Sequence, residues 1–442
     1  MAAAFGLAAL TAAPALAVDD VFVSGNLHVN VGVEVGAYAA AVENPNFGLG
    51  RIDLRTGKNT GDVQVGEAYI EPSLTFTYDA SDSFSLFGGA SAVATTTLGE
   101  GDAGGFTDGT DADVDPELAY LGFRATLGGA ADSPWVLEAS GGRQNVQIGD
   151  GWLFWDGNFD AFANAAYWLA PRTAFRYAGT ADLSNGAFGL KPFYIQGDGD
   201  QDHSELVGGD LRFEGDWGGV GVLYAQIIDS DDQVFTRDGM EMVSVRAIGL
   251  NVPGLDGLSV SGEYTNQFGE ENGVDFDADG YYGQVNYTVA SLPWSPTLSY
   301  RYARFSGDGN PDGGDNGTFD PLFYGFSSGW GTWFQGEIVG EYFLFNSNQR
   351  NHMVKLSLAP TDALGIGAIY YHFDLDEKNF FGTPVNDRTF ADEINLYADW
   401  TVSDNVYVSG VAGVAFAGAG AEDAFGDDDT IFLLEAYLVL TF

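Results

Sequence analysis

Apolar and polar residues alternate along most of this chain. In its last segment Phe432, Leu434, Ala436, Leu438, Leu440 and Phe442 share one parity. Leu433, Glu435, Tyr437, Val439 and Thr441 share the other. A period of two with one wholly apolar face predicts a strand that turns that face to lipid or to a core. The same period recurs in segments parted by Gly, Asp and Asn. These are Val21–Ala41, Asp62–Asp79, Ser83–Leu98, Glu117–Gly128, Pro134–Val146, Arg172–Leu183 and Ala187–Gln196. Next come Glu205–Asp216, Gly219–Ile228, Glu241–Val252, Leu258–Phe268, Asp279–Ala290 and Ser295–Phe305. Trp333–Asn346, His352–Pro360, Leu364–Asp374, Ala391–Val402, Asn405–Phe416 and Thr430–Phe442 bring the candidates to 19.

The connections alternate in length. Ala80–Asp82, Trp217-Gly218, Thr361–Ala363 and Ser403-Asp404 are short; Gly99–Pro116, Gln147–Pro171 and Ser306–Thr332 are long. Short turns on one side and long loops on the other are the layout of an outer-membrane β-barrel, whose strands are even in number and antiparallel. The expected fold is therefore all-β, a transmembrane antiparallel barrel of 18 strands, with 16 as the alternative. One of the 19 candidates is then spurious, or one strand is missed. Aromatics at strand ends, among them Tyr78, Trp135, Phe175, Tyr264, Trp294, Tyr342 and Trp400, fit interfacial girdles.

Residues 1–17 are small and apolar and end in Ala15-Leu16-Ala17, as a signal peptide with its cleavage site does. That leaves residues 18–442 as the barrel. The chain has no cysteine, so an exported fold here gains no disulfide. With 63 acids against 17 bases, a net charge of −46, nucleic-acid binding is excluded. Aromatics at 14% and hydrophobics at 45% exclude a disordered acidic chain. The terminal aromatic strand is the form of insertion signal that the barrel-assembly machinery takes up, which makes that machinery and the outer-membrane lipid expected partners.

Strand parity sorts side chains between lipid and lumen. Arg124, Arg172, Arg176, Arg212, Arg246 and Arg301, six of the thirteen arginines, fall on lumen parity. An arginine facing lipid costs about 2–4 kcal/mol at the midplane, so the lumen is their natural place. Acids share that parity: Glu67, Glu71, Glu138, Glu263, Glu337, Glu341, Glu393, Asp399 and Glu435. Arginines and acids either pair to fill the wall or leave a positive track for an anionic solute. Asp275, Asp277 and Asp279 open a D-x-D-x-D-G run like a calcium loop, although Asn286 stands where the closing Glu belongs. No nucleophile–base set or zinc-protease motif occurs, and no enzyme is expected.

Two segments resemble the alginate-export family of outer-membrane porins. One is Gly142-Arg-Gln144 followed by Gly149-Asp-Gly151 and Trp155-Asp-Gly157. The other runs from Phe319-Asp-Pro-Leu-Phe-Tyr-Gly-Phe326 through Gly329–Tyr342 to Asn346-Ser-Asn348, Pro360-Thr-Asp362 and Tyr370–Asp374. The resemblance implies a monomeric 18-stranded barrel that passes an anionic uronate polymer through an arginine-lined constriction. Arg143 is the motif arginine; its parity reads outward unless Gly141-Gly142 forms a bulge that re-aims it. Glu337 and Glu341 join the arginines as expected pore-lining residues. The net charge of −46 opposes a polyanion path if the acids line the lumen. The alternatives are a general or cation-preferring porin for small solutes, and a calcium-binding surface barrel.

Overall fold

The computed structural model describes residues 22–130, 133–158, 165–198, 203–230, 237–271, 273–311, 313–325, 329–331 and 335–442. The expected leader, residues 1–17, lies outside the described residues. Eighteen long strands among the described residues form one closed sheet. They are β1 (Leu27–Glu43), β2 (Val63–Ser81), β3 (Phe84–Gly99), β4 (Ala112–Ala130), β5 (Ser133–Gln144), β6 (Phe175–Ser184), β7 (Phe188–Gln196), β8 (Glu205–Gly215) and β9 (Gly218–Asp229). The second half is β10 (Glu241–Asn251), β11 (Leu258–Glu271), β12 (Val274–Thr288), β13 (Thr297–Phe305), β14 (Gln349–Thr361), β15 (Leu364–Leu375), β16 (Thr389–Ser403), β17 (Val406–Ala417) and β18 (Ile431–Thr441). Each pairs antiparallel with its neighbour in sequence, and β18 closes on β1 from Glu34↔Thr441 to Glu43↔Phe432. Closure satisfies every edge, the one way a sheet can cross lipid.

The barrel keeps the expected parity at its seam. Leu434 is 65% exposed on the outside, whereas Leu433, Glu435 and Tyr437 are buried within. Tyr78, Tyr264, Tyr287, Trp294 and Trp400 project outward as girdle residues. Phe175 and Tyr342, expected beside them, lie inside. Phe175 is fully buried against Phe323, and Tyr342 belongs to a segment held in the lumen.

Two departures shape the interior. The candidate strand at Trp333–Asn346 is the spurious one: Gly336–Leu344 is a wide π-type helix that packs inside the barrel. Gly336 has φ +98°, and a Cβ on Gly340 would sit 2.2 Å from the Gln335 carbonyl. Chain reversal into a helix is thus built on two glycines. Its Ile338, Val339, Phe343 and Leu344 pack on inward residues of the wall such as Val42, Val63 and Leu433. The second departure is the Asp275–Gly280 run. It lies within β12, paired with β11 as far as Glu271↔Val274, so it is strand rather than calcium loop.

A second inserted segment, between β5 and β6, enters the lumen from the long-loop end. Its Trp152 packs on Phe305, Phe319 and Tyr282 and donates to Thr265 Oγ1 at 3.0 Å. Its Phe154 meets Phe323 of the segment between β13 and β14. The Trp155 and Asp156 amides both donate to the Phe323 carbonyl, at 2.7 and 3.0 Å. The two insertions therefore form one apolar body, wedged against β6 to β13.

Candidate functional site: a lumen narrowed by two inserted segments

Inward acids of the wall hold the insertions in place. Glu393 on β16 accepts the amides of Ile338 at 3.1 Å and Val339 at 2.7 Å, at the start of the lumen helix. Glu67 on β2 accepts those of Trp168 at 3.2 Å and Leu169 at 2.9 Å. Glu117 on β4 accepts those of Thr173 at 2.9 Å and Ala174 at 2.8 Å. Each carboxylate receives two adjacent backbone N–H groups, which a buried insertion would otherwise leave unpaired. The surplus of inward acids has this structural use, which strand parity alone does not reveal.

The expected pore-lining residues separate under this geometry. Arg124 faces the lumen near the short-turn end and donates to Glu138 from Nε at 2.8 Å and Nη2 at 2.5 Å. Arg212 donates to Asp182 at 2.8 and 2.9 Å. Arg246 is buried against Asp210, with a shortest N–O distance of 2.7 Å. Arg301, 1% exposed, donates to the Gly331 carbonyl at 2.7 Å and to Gln335 Oε1 at 3.1 Å. These arginines fill the wall or brace an insertion.

Arg172 precedes β6, lines the open lumen, and reaches Asp198 at 2.5 Å and Asp115 at 3.4 Å. Arg143 takes the same Asp198, at 2.9 Å through Nη2. The expected bulge exists, but its extra residue falls on the facing strand. Gly142 pairs with Ala178 and Gln144 with Phe175, so two steps of β5 oppose three of β6. Arg143 lies at this irregularity, largely buried and tied with Arg172 to Asp198. The same irregularity sets Phe175 and Ala178 inward and leaves Arg176 exposed. Arg176 is exposed and lies beside His203, 3.5 Å away.

Glu337 and Glu341 do face the lumen, from the helix rather than from a strand. Four residues apart, they satisfy a period of two and also share one helix face. Burial, reinforced by Glu435, Glu341 and Glu393, holds the Glu337 carboxyl well above the usual range, and Glu337 is hydrogen-bonded to Glu435. Burial likewise pushes Glu341 up to about 8, with added repulsion from Glu435, Asp102 and Glu67. Asp156 in the other insertion is raised to about 7 by burial, against the lowering effect of the Asn158 amide.

Asp275, Asp277 and Asp279 point to one side of an extended strand. Alternate residues there stand roughly 6–7 Å apart, too spread to ligate one ion. Asp279 is moreover taken by Arg304 at 2.8 Å. No three acidic or histidine side chains among the described residues gather as a metal site.

What remains open is a cavity of about 1390 Å³ that runs from the short-turn end up to the insertions. Its cationic lining residues among those described are Arg172, Lys191 and Lys355. Its acids are Glu34, Glu71, Glu117, Glu138 and Asp156 on one side, and Glu337, Glu341, Asp362, Asp399 and Asp404 on the other. Ten carboxyl groups thus border this space with three cations, and one of the ten, Glu138, is paired with Arg124. A cluster of aromatic residues, Trp168, Trp330, Tyr397, Tyr407 and Tyr437, also borders this space. Parity marked Asp399 and Tyr437 as inward. Trp168 and Trp330 sit in loops, where parity carries no information.

The sequence profile for alginate export matches residues 107–422. No curated protein matches the chain by sequence. Among solved structures, Pseudomonas aeruginosa OccD3 (OpdP) aligns over 97% of this chain and 93% of its own, at TM-score 0.57 and 11% identity. Pseudomonas aeruginosa OprD aligns over 96% and 97%, at TM-score 0.54 and 11% identity. Pseudomonas aeruginosa OccK5 (OpdH) aligns over 93% and 98%, at TM-score 0.54 and 8% identity. At such identities the likeness is one of fold.

Proposed function

The chain belongs to the alginate export family and is a bacterial outer-membrane channel, and from that premise we propose a passive, cation-preferring pore for small solutes. The observation that carries this is the lining of ten carboxyl groups and three cations around the open lumen. Rings of acidic side chains raise the local cation concentration and exclude anions. The expected arginine track is largely spent on fixed ion pairs, with Arg246 on Asp210 and Arg212 on Asp182. Diffusion down a gradient needs no catalytic group and no energy coupling. A monomer, inserted by the barrel-assembly machinery, suffices for it.

Passage of an anionic oligouronate is the second reading. It is favoured by the family and by Arg172, Lys191 and Lys355, which border the open lumen. The reversal potential of single channels in a salt gradient separates the two. The expected sign is that of a cation-selective pore, retained when Arg172 and Lys355 are changed to Ala. An anion-selective reversal potential that is lost in that double variant establishes the uronate path instead.

A further inference from the structure

We propose that the lumen helix Gly336–Leu344 is a pH-operated gate, docked on the wall while the carboxyl groups of its interface share protons and released, widening the pore, when they lose them. This rests on the lumen being a conducting path and adds how that path is regulated. The docking interface has two parts of opposite character. Ile338, Val339, Phe343 and Leu344 pack on apolar wall residues and favour docking at any pH. Glu337 and Glu341, 4% and 6% exposed, are buried beside them and share one face of the helix.

Acids crowd that face from several elements. Glu337 meets Glu435 of β18 and Glu393 of β16. Glu341 meets the same two, together with Glu67 of β2 and Asp102 of the segment between β3 and β4. The Glu337 carboxyl is hydrogen-bonded to that of Glu435. Two ionised carboxylates have no proton to share, so this bond exists only while one of the pair is protonated. Tyr38 of β1 supports the pair by donating to Glu435 Oε2 at 2.9 Å. Tyr371 of β15 and Tyr437 of β18 also face Glu337, and Tyr342, Tyr167 and Tyr324 face Glu341. Two effects work the other way. Lys355 of β14, beside Arg301 of β13, divides its attraction between Glu337 and Asp399 of β16. Glu393 accepts the Ile338 and Val339 amides at 3.1 and 2.7 Å and so favours docking as an anion.

The ends of the helix add to the instability. Gly336 has φ +98°, and beyond the helix Phe345, Asn346 and Asn348 have φ +47°, +53° and +46°. Left-handed backbone is costly for residues with a side chain, so the exit from the helix is held by the docked interface and not by local preference. As pH rises the interface releases its protons to bulk water, and like charges are left buried side by side. Undocking carries Glu337 and Glu341 into water and removes that repulsion. Docking therefore weakens as pH rises, over a window near the value of about 8 at which Glu341 titrates.

The chain has no cysteine, so one introduced thiol reports the gate. Val339→Cys puts it at a fully buried docking position. Ser83→Cys, in the exposed turn between β2 and β3, gives the intrinsic pH dependence of the labelling reaction. The test is the ratio of the two maleimide labelling rates in detergent. It is expected to rise about tenfold from pH 7 to pH 9, as the ionised share of a group titrating near 8 does. Adding Glu337→Gln and Glu341→Gln, which cannot ionise, is expected to hold the ratio at its low value throughout. Where that double change prevents assembly, Glu341→Gln alone serves the same comparison and is expected to reduce the rise. Wide-level openings in single-channel records are expected to follow the same course. Labelling needs no conduction, so a failed pore reading and a failed gate are distinguishable. A ratio that stays flat from pH 7 to pH 9 overturns the inference, and so does an undiminished rise in the Gln variants.

Discussion

Replacing Glu393 by Ala separates the role of an inward acid as an anchor from its role as a pore charge. Its carboxylate accepts the Ile338 amide at 3.1 Å, the Val339 amide at 2.7 Å and Asn395 Nδ2 at 2.7 Å. It is wholly buried. Hydrogen bonds to a charged group contribute about 1.5–3 kcal/mol each, so the two amides alone represent roughly 3–6 kcal/mol of docking free energy. Removing a carboxylate packed near Glu337 and Glu435 relieves repulsion and offsets part of that. The lower end, about 3 kcal/mol, corresponds to a population of undocked lumen helix more than about a hundredfold larger. The apolar face of the helix, with Ile338, Val339, Phe343 and Leu344, still favours docking. The outcome is therefore a channel that flickers to a wider level rather than one permanently open. Single-channel recording checks this: brief high-conductance excursions are expected to become far more frequent in Glu393→Ala. Glu393→Gln, which keeps one acceptor oxygen, is expected to lie between. Unchanged excursions in Glu393→Ala, with a barrel of normal heat resistance, refute the anchoring role.

Raising the pH is expected to strengthen cation selectivity between about pH 7 and pH 8.5, because Asp156 and Glu341 lose their protons near 7 and 8; reversal potentials across that range check it. The same shifts fix the stability trend. These carboxyls bind protons more tightly in the fold than unfolded, so stability falls as pH rises from about 4.5 through about 8, and thermal unfolding should move down over that window. Gly142→Ala places a Cβ 2.3 Å from the Ala119 carbonyl at φ +130°, and the strain should lower the folded yield by more than Gly141→Ala, where the nearest atom is 3.6 Å away. Leu434→Arg puts a cation on the lipid face and should cost about 2–4 kcal/mol in a refolding titration, if the site lies near the midplane. An equal cost for the conservative change Leu434→Ile would refute the lipid-facing assignment.

Where one side of a strand meets lipid and the other the lumen, the sequence displays the fold directly. The seam strand shows this, since Leu434 and Glu435 differ in environment as their alternation demands. Loop-length asymmetry likewise marks the end from which the insertions enter. The pattern fails where a segment leaves the wall. The run at residues 336–344 alternates well enough to pass as a strand, and its two acids at a spacing of four fit either period. The Asp275–Asp279 run fails in the opposite sense, because three aspartates look like a loop although the ladder with β11 holds them extended. Phe175 is set inward beside Ala178 by the register shift between Gly142 and Gln144, a local irregularity that no periodicity contains.

The sequence by itself determined the closed barrel, the side of each wall residue over most of its length, and the family. Those properties follow from a period of two repeated along the chain, and lipid enforces that period at every strand. Only the tertiary structure decided what fills the barrel. The insertions are held by contacts between residues far apart in the chain, such as Glu67 with Trp168 and Glu393 with Val339. Those contacts turn inward acids into anchors and bring Trp168, Trp330 and Tyr437 together at one narrowing. No local pattern encodes them, because their geometry depends on barrel closure and on the path of two loops through its interior.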